Sequence, residues 1–288
     1  MILEKLSEFA YFQDLRKSLV ELAELAIPES WRFIEPQQPT GNQDTPILER
    51  YILYIFRNHA IRYNRTLDAT ERQRFIFIYG AIACFHTGLL TPHFEDIYAL
   101  FEKSSRKNSR REWIFRGFYP SSSPKLRGIS RLPDKPTFYG NLEMYHPEWE
   151  VRIHYQHILQ DNRERLPSAV RELNILPLLL KASVIYGREL AYMDPSIIVP
   201  HVYHNRIQYL MPICLTDMRF CDLAMVLDVF DGFYCGTTCL NLEMAYYHAR
   251  LIGRPSASWL AGLVNQEIAD VEFDYQPMYG VNSVMTTL

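Results

Sequence analysis

The chain has 288 residues, of which 48% are hydrophobic and 22% charged, a composition typical of globular proteins and not of disordered or fibrous ones. A chain of this length buries a core large enough to be stable without disulfides or a structural metal. The formal net charge of −3 indicates no particular class of partner. The five cysteines, an odd number with no C-x-x-C pair, predict buried free thiols in a reducing compartment.

The sequence also argues against a membrane protein. Its first residues include acidic side chains and lack the apolar core of a signal peptide. No apolar run reaches the roughly 18 residues that a transmembrane helix needs, because Lys181 interrupts the best candidate, residues 175–187. We therefore expect a cytoplasmic location and no membrane partner.

In the N-terminal part, the spacing of apolar residues predicts helices first and strands later. Apolar residues recur every three or four positions over 3–26, which predicts one amphipathic helix. Pro46 suits the first turn of a second helix. The segment 74–85 predicts two short strands joined at Gly80, and a helix is expected near 93–102.

The C-terminal part is predicted to be helical first and then to form a strand meander. Residues 149–160 have helical spacing, and Ser168 is expected to cap a helix over 169–190 that Pro177 interrupts. Within residues 206–255, two or three apolar runs of strand length lead into a long amphipathic helix. A hairpin or meander with a helix laid on it would form the middle of the core.

This order of elements predicts one α+β domain with a largely antiparallel central sheet packed by helices. The domain is expected to span residues 1–265, with a basic, flexible insertion at about 103–131 and a C-terminal tail at 266–288. No internal repeat is visible in the sequence.

The strongest charge asymmetry of the chain lies between 103 and 131, where nine Lys or Arg stand against one acid, Glu112. Nucleic-acid binding needs cations for the phosphates and aromatic rings for the bases, and both are interleaved here. The nucleic-acid-binding candidates are Arg110, Arg111, Trp113 and Arg116. The alternative is a solvated, mobile loop whose charges balance the acidic remainder of the chain.

Several histidines have spacings that metal sites also use. His154, His157 and Asp161 fall on one face of a helix, and two imidazoles with a carboxylate can form a facial metal triad. His201 and His204 offer two further imidazoles. A divalent metal ion therefore stays open as a cofactor, and the alternative is that these histidines cap and pack.

Basic residues placed in or beside apolar segments predict an anion-binding pocket. Lys181 stands in an apolar run and must pair, snorkel or face a cavity. Arg250 and Arg254 are four residues apart and lie on one helix face. Together with Arg165 they would line a hollow beside the C-terminal sheet that suits phosphate or carboxylate. The alternative is ion pairing, for example of Lys181 or Arg250 with Glu243.

Familiar catalytic motifs are absent from the sequence. It contains no Walker A loop, no G-x-G-x-x-G, no H-E-x-x-H and no G-x-S-x-G. These absences argue against ordinary dinucleotide enzymes, P-loop ATPases and α/β-hydrolases.

A series of short motifs, taken in order, resembles one family over nearly the whole chain. The motifs are PESW (28–31), PILERY (46–51), HTGLLT with EDIYALF (86–101), HILQDNRERLP (157–167), PICLTD (212–217), DLAMVLDV (222–229), LNLEMAYYHARLIGRP (240–255) and WL (259–260). They are similar to the domain of unknown function thirty-eight twenty-five, known from bacteria and fungi. That family recurs beside LOTUS-type winged-helix RNA-binding modules, so the resemblance implies work in RNA metabolism without implying an activity. This chain shows no LOTUS module.

The resemblance extends to individual polar positions and also has two departures. The residues that match the family pattern are Thr87, Gly88, His157, Asp161, Asn162, Arg165, Pro167, Asp222, Ala245, Tyr246 and Arg250. His86 stands where the family usually shows Asn, and Glu243 stands where it usually shows Asp. If either position is catalytic in the family, activity here would differ.

These observations together predict an RNA- or nucleotide-directed domain in RNA metabolism, with RNA or a nucleotide as partner. An Arg/Lys-lined pocket would grip phosphate, and action on a phosphate ester stays open. The ligand-binding candidates are Thr87, Asn162, Arg165, Lys181, Tyr246, Arg250 and Arg254. The catalytic candidates, acting on a water or a metal ion, are His157, Asp161, Asp222 and Glu243. The alternatives are a non-catalytic RNA- or nucleotide-binding module and a structural or oligomerisation domain.

Overall fold

The computed structural model describes residues 1–33, 45–105, 111–138, 143–203 and 206–262. Its helices are α1 (Leu6–Phe9), α2 (Leu15–Leu25), α3 (Pro46–Arg65), α4 (Ala69–Arg72), α5 (Ser168–Arg171), α6 (Leu176–Met193), α7 (Leu242–Arg250) and α8 (Ser258–Ala261). Its strands are β1 (Ala10–Tyr11), β2 (Ile76–Tyr79), β3 (Ile82–Leu90), β4 (Asp96–Lys103), β5 (Trp113–Pro120), β6 (Glu150–Ile153), β7 (Val199–Tyr203), β8 (Arg206–Ile213), β9 (Leu223–Phe230) and β10 (Phe233–Leu240). Arg110, His204 and the tail 266–288 lie outside the described residues.

The described strands form two five-stranded sheets with the same topology. The N-terminal sheet has the order β1-β5-β4-β3-β2, and the C-terminal sheet has the order β6-β10-β9-β8-β7. In each, four consecutive strands form an antiparallel meander, and a short earlier strand pairs in parallel with the last one. In each, helices connect the short strand to the meander. The fold is therefore α+β and largely antiparallel, as expected, but it has two sheets where one was expected, and its topology repeats without a visible sequence repeat.

One hydrophobic core joins the two halves of the fold. It contains α3 residues such as Ile55 and Phe56, which are fully buried, and it continues to Leu210 of β8 and Tyr246 of α7. Helix α7 lies against both β7 and α3. A second core fills the space between α6 and the C-terminal sheet around Leu180. A core shared by both sheets is what makes this a single domain.

Several sequence predictions are confirmed and others are wrong. Helix α3 begins at Pro46, and β2 and β3 meet at a turn that contains Gly80, whose φ is +58°. The single helix expected over 3–26 is interrupted, because the Asp14 side chain accepts a hydrogen bond from the Lys17 amide and starts α2 afresh. The helix expected near 93–102 is instead strand β4, hydrogen-bonded on both sides.

The segments on either side of the chain's midpoint also differ from expectation. Over 149–160 the structure has strand β6 followed by a π-helical turn at His157–Asp161. Pro177 lies in the first turn of α6 and so begins that helix instead of interrupting one. The segment 103–131, expected to be a flexible insertion, contributes β5 to the interior of the N-terminal sheet, between β1 and β4.

Candidate functional site

A cavity of about 440 Å³ opens on one face of the C-terminal sheet. One wall is the turn after β6 and its continuation, which supply His157, Asn162 and Arg165. Another wall is α7, which supplies Met244 and His248. Strands β7 to β10 supply the floor. Three of the sequence candidates are thus brought together at one cavity.

Polar side chains from adjacent strands form a row across that floor. His201 of β7 is the register partner of Gln208 of β8. The Gln208 side-chain amide donates to Oδ1 of Asp228 on β9 at 2.5 Å. Because side chains alternate between the two faces of a strand, such cross-strand partners share one face. Strand pairing therefore assembles a polar row from segments that are otherwise apolar.

Arg165 is the cation of the cavity, and β10 holds it in place. Its Nη1 donates to Oγ1 of Thr238 at 3.3 Å and to the carbonyl of Cys239 at 3.2 Å. The pairing of β10 with β9 shifts register between Gly236 and Thr238, and this bulge lets both Thr237 and Thr238 line the cavity. The Arg165 side chain is 28% exposed, so its charge is partly shielded from water.

His157 is held by its own π-helical turn. Its Nδ1 lies 3.0 Å from Oδ2 of Asp161, and its Nε2 lies 3.0 Å from the side-chain amide nitrogen of Asn162. Since a carboxylate only accepts, Nδ1 carries the proton, and Nε2 then accepts from the Asn162 amide. The same Asn162 nitrogen donates to the His157 carbonyl at 3.1 Å. Both imidazole nitrogens are thus occupied, and the arrangement fixes the cavity wall.

His201 and His248, which both line the cavity, are neutral at physiological pH. Burial, and then the neighbouring His248, lowers the pKa of His201 to about 3. Burial likewise lowers the pKa of His248. Their rings stand nearly perpendicular with centroids 5.7 Å apart, and the ring of Tyr203 lies 5.9 Å from that of His248. His201, His248 and Tyr203 therefore give this end of the cavity neutral, aromatic side chains.

Arg250 does not belong to the cavity. Its Nε and Nη2 donate to the two carboxylate oxygens of Glu29 at 2.5 and 2.9 Å, and both side chains are more than nine-tenths buried. The guanidinium carbon also lies 4.9 Å from the Trp31 ring centroid and 4.5 Å from that of Tyr51. Burial alone would lower the pKa of Arg250, but the bonds to Glu29 outweigh it and the pKa is raised. Arg250 ties α7 to the segment before α3.

The expected convergence of four cations on one hollow is therefore not what the structure shows. Arg165 lines the cavity and Arg250 is paired inside the first core, while Lys181 is exposed on α6. Arg254 lines a separate depression of about 180 Å³ beside Gly253. Positions four apart share a helix face only while the helix lasts, and α7 ends at Arg250.

The remaining ligand-binding and catalytic candidates have local partners away from the cavity. The hydroxyl of Thr87, inside the N-terminal sheet, donates to the carbonyl of Ile97 at 2.7 Å. Tyr246 is buried in the first core, and burial raises its pKa to about 12. The carboxylate of Asp222 accepts from the amides of Leu215 and Thr216 and closes the loop between β8 and β9.

Glu243 lies in the first turn of α7, and its side chain hydrogen-bonds Tyr247 one turn further along the same helix. Burial, and then the Glu243 charge and hydrogen bond, raises the pKa of Tyr247 to about 12. The guanidinium carbon of Arg50 lies 4.0 Å from the centroid of the Tyr247 ring. Glu243 thus joins a contact between α7 and α3.

In the described part of the basic segment, Trp113 does not offer the stacking surface that the composition suggested. Trp113 is 3% exposed and stacks on Phe9 at 5.8 Å between centroids. Arg116 is exposed but donates to Glu102 of β4 at 2.8 Å. Arg111 lies beside Tyr11, with 6.0 Å from guanidinium carbon to ring centroid. The aromatic residue predicted to stack on bases belongs to the protein core.

The metal-site candidates are not assembled as ligands. Over the residues that the structure describes, no three His, Cys, Asp or Glu side chains gather as they would around a metal ion. The His154 and His157 rings stack with centroids 5.8 Å apart. All five cysteines are free thiols, and burial raises the pKa of Cys239 to about 12.

The sequence prediction missed most of the cavity floor. Gln208, Asp228, Thr237 and Thr238 were not singled out, although each is a polar residue inside an apolar strand. That property is a usable signal, because a buried polar side chain on a strand needs a partner or a ligand. His248 was not predicted as a site residue, because the anion-binding prediction for α7 rested on its charged residues.

Fold and cavity together define a single α+β domain that has two five-stranded sheets of the same topology and a polar, ligand-sized cavity on the second sheet. None of the described helices is long and apolar enough to cross a membrane. The chain belongs to the family described as domain of unknown function (DUF3825), whose model matches residues 22–259. The resemblance read from the sequence motifs is thereby confirmed. No curated protein and no solved structure matches the chain.

Proposed function

We propose that this chain is an RNA- or nucleotide-binding module in RNA metabolism, and that the cavity on the C-terminal sheet receives a nucleotide or an RNA end, with Arg165 contacting its phosphate. The observation that carries the proposal is the placement of Arg165 in a cavity of about 440 Å³ beside the hydroxyls of Thr237 and Thr238. Ligand cavities commonly measure about 300–1,000 Å³.

Arg165 has the geometry that phosphate recognition requires. Its two hydrogen bonds within the described part of the chain both come from Nη1 and orient the planar guanidinium, whose Nε/Nη2 edge makes only a 3.9 Å contact from Nε to the exposed Glu164 carboxylate. A guanidinium fixed in this way presents donors in a fork that matches phosphate oxygens. Asp228, the carboxylate that lines the cavity, accepts from Gln208 and so is already partly compensated.

Binding is better supported than hydrolysis of a phosphate ester. A general base needs a ring nitrogen or carboxylate oxygen within reach of the attacking water. His157 has Nδ1 on Asp161 and Nε2 on Asn162, so a substrate would first have to displace the Asn162 amide. Asp222 and Glu243, the other expected catalytic carboxylates, do not line the cavity.

The proposal is tested by isothermal titration calorimetry with nucleoside 5′-monophosphates and short 5′-phosphorylated RNA. Substituting Arg165→Met removes charge-assisted hydrogen bonds worth about 1.5–3 kcal/mol, so affinity should fall about tenfold to a hundredfold. The matched control is Arg163→Met, two residues away, whose guanidinium is exposed and paired with Glu172.

Equal effects of the two substitutions would contradict the proposal, as would unchanged affinity in Arg165→Met. Because Arg165 also bonds to β10, circular dichroism and the melting temperature are recorded for both variants. Arg165→Lys is a second variant that retains the positive charge. It should bind more weakly than the wild type because an ammonium cannot reproduce the guanidinium fork.

A further inference from the structure

We infer that His201 and Gln208 form a subsite that reads the hydrogen-bonding edge of a nucleobase. The inference rests on the proposed function and adds a second, uncharged recognition point to the same cavity. It starts from buried polar atoms that lack partners. Among the described residues, both ring nitrogens of His201 and Oε1 of Gln208 are buried without a hydrogen-bond partner.

Buried polar atoms without a partner also occur elsewhere among the described residues, but those of His201, Gln208 and His248 lie on side chains that line one cavity. A buried donor or acceptor without a partner costs about 1–3 kcal/mol. His201 is 2% exposed and Gln208 is 9% exposed. The two residues are register partners on β7 and β8, and both line the cavity. Nδ1 of the adjacent His248 is a fourth buried atom without a partner among the described residues. A ligand in the cavity would supply the missing partner of Gln208 Oε1 and of one ring nitrogen of His201.

The orientation of Gln208 is fixed before any ligand arrives. Its side-chain nitrogen is committed to Asp228 at 2.5 Å, and a carboxylate can only accept. The amide is therefore held with its nitrogen on Asp228, and Oε1 is presented as an acceptor. An acceptor repels phosphate and carboxylate oxygens but suits an N–H group of a neutral ligand.

His201 complements that acceptor. Burial beside His248 keeps the ring neutral, so one ring nitrogen donates and the other accepts. Together, Gln208 and His201 present an acceptor next to a donor. An N–H group beside a ring nitrogen or carbonyl, as on the Watson–Crick edges of the nucleobases, matches this pair.

The two ends of the cavity have different chemistry. Arg165 is anchored to β10, whereas His201 lies on β7, three strands away in the sheet. Adjacent strands are about 4.8 Å apart, so the two ends are separated by roughly 14 Å. Gln208 lies on β8, two strands and roughly 10 Å from β10, and that distance suits one nucleotide with its 5′-phosphate at Arg165 and its base edge at Gln208. The apolar side chains of Val226, Leu240 and Met244 line the space between polar groups, which favours a planar base over a sugar.

The test varies the ligand before it varies the protein. Calorimetry on the wild-type chain compares the four nucleoside 5′-monophosphates, the matching nucleosides and ribose 5-phosphate. Ribose 5-phosphate keeps the anion but lacks the base, so it should bind at least about tenfold more weakly than the best nucleotide. A fifth nucleotide, purine ribonucleoside 5′-monophosphate, has no N–H on its base edge and should therefore bind as weakly as ribose 5-phosphate.

Variants then separate the two ends. His201→Phe should weaken nucleotide binding about tenfold and leave ribose 5-phosphate binding unchanged, whereas Arg165→Met should weaken both. The melting temperature of each variant is recorded, and the ligand series on the wild type does not depend on either variant folding.

The outcomes distinguish the two proposals. Equal binding of ribose 5-phosphate and the nucleotides overturns the base subsite and retains the phosphate contact. Binding of nucleosides that is as strong as that of nucleotides, with no effect of Arg165→Met, retains the base subsite and overturns the phosphate contact. No binding of any probe overturns both.

Discussion

The buried ion pair between Arg250 and Glu29 offers the sharpest test of how this fold is held together. It joins residues 221 positions apart through two hydrogen bonds of 2.5 and 2.9 Å, and the exposed fractions of the side chains are 7% and 9%. Removing one partner leaves the other charge buried and unpaired, which costs about 3–5 kcal/mol. Glu29→Leu and Arg250→Met should each lower the free energy of unfolding by that amount.

The double substitution should behave differently from the sum of the single ones. Replacing both members of a buried pair by apolar side chains leaves no stranded charge, and such exchanges are often neutral or stabilising. Glu29→Leu with Arg250→Met should therefore recover most of the loss. The remaining deficit would reflect the lost contact of the guanidinium with Trp31 and Tyr51, worth about 0.5–2 kcal/mol for a cation over an aromatic ring.

The assay is a double-mutant cycle measured by urea denaturation and by melting temperature. At about 2–4 °C per kcal/mol, each single substitution should lower the melting temperature by about 6–20 °C. The control cycle uses Arg163 and Glu172, an Arg–Glu pair at 2.7 Å whose side chains are 48% and 77% exposed, where little coupling is expected. Strictly additive losses at Arg250 and Glu29, or coupling no larger than in the control, would refute the reasoning.

Two further predictions concern stability. In three buried histidines, burial lowers the pKa from the ordinary 6.5 to about 3, about 4 and about 3, respectively. They are His59, His86 and His201. Below about pH 6.5 the unfolded chain binds protons at these histidines and the folded chain does not. The free energy of unfolding should therefore be highest above about pH 6.5 and should fall as the pH drops from 6.5 towards 4. Each histidine should contribute a fall of up to about 1.4 kcal/mol per pH unit. Urea denaturation at several pH values measures this, and a flat profile would contradict it. Gly88→Ala should destabilise strongly, because φ is +81° and an added Cβ would lie 2.2 Å from the Tyr51 hydroxyl oxygen. Gly80→Ala is its control, with φ of +58° and open space around the added carbon, and similar losses for the two would show that the close contact is irrelevant.

Local patterns predicted the elements that carry a clear period or a clear end signal. Strands β8, β9 and β10 and helix α7 lie within residues 206–255, where apolar runs of strand length and an amphipathic helix were predicted. The local pattern failed to predict β4, because residues 97–101 are all buried. An apolar run without alternation does not distinguish a strand from a helix. The prediction for Trp113 was wrong for a related reason. An aromatic residue beside arginines is typical of a base-stacking surface, and only the sheet shows that this side chain lies inside the core.

The candidate site was predictable only in part. His157, Asn162 and Arg165 are close in sequence, so one turn was enough to bring them to the same wall. His201, Gln208 and Asp228 come from three strands, and whether they meet depends on strand register, which a single sequence does not state. The grouping of Arg165 with Arg250 failed because charge alone does not reveal that Glu29 lies beside Arg250.

The sequence by itself determined the α+β class, the largely antiparallel pairing, the family and the globular character of the chain, because these follow from composition, local periodicity and motifs in order. Only the tertiary structure decided that there are two sheets of one topology, that Arg250 serves the core, and that a polar row crosses the floor of a cavity. The physical reason is the range of the interactions. Helix and strand preferences act over a few residues, whereas a cavity and a buried ion pair exist only after distant segments have packed together.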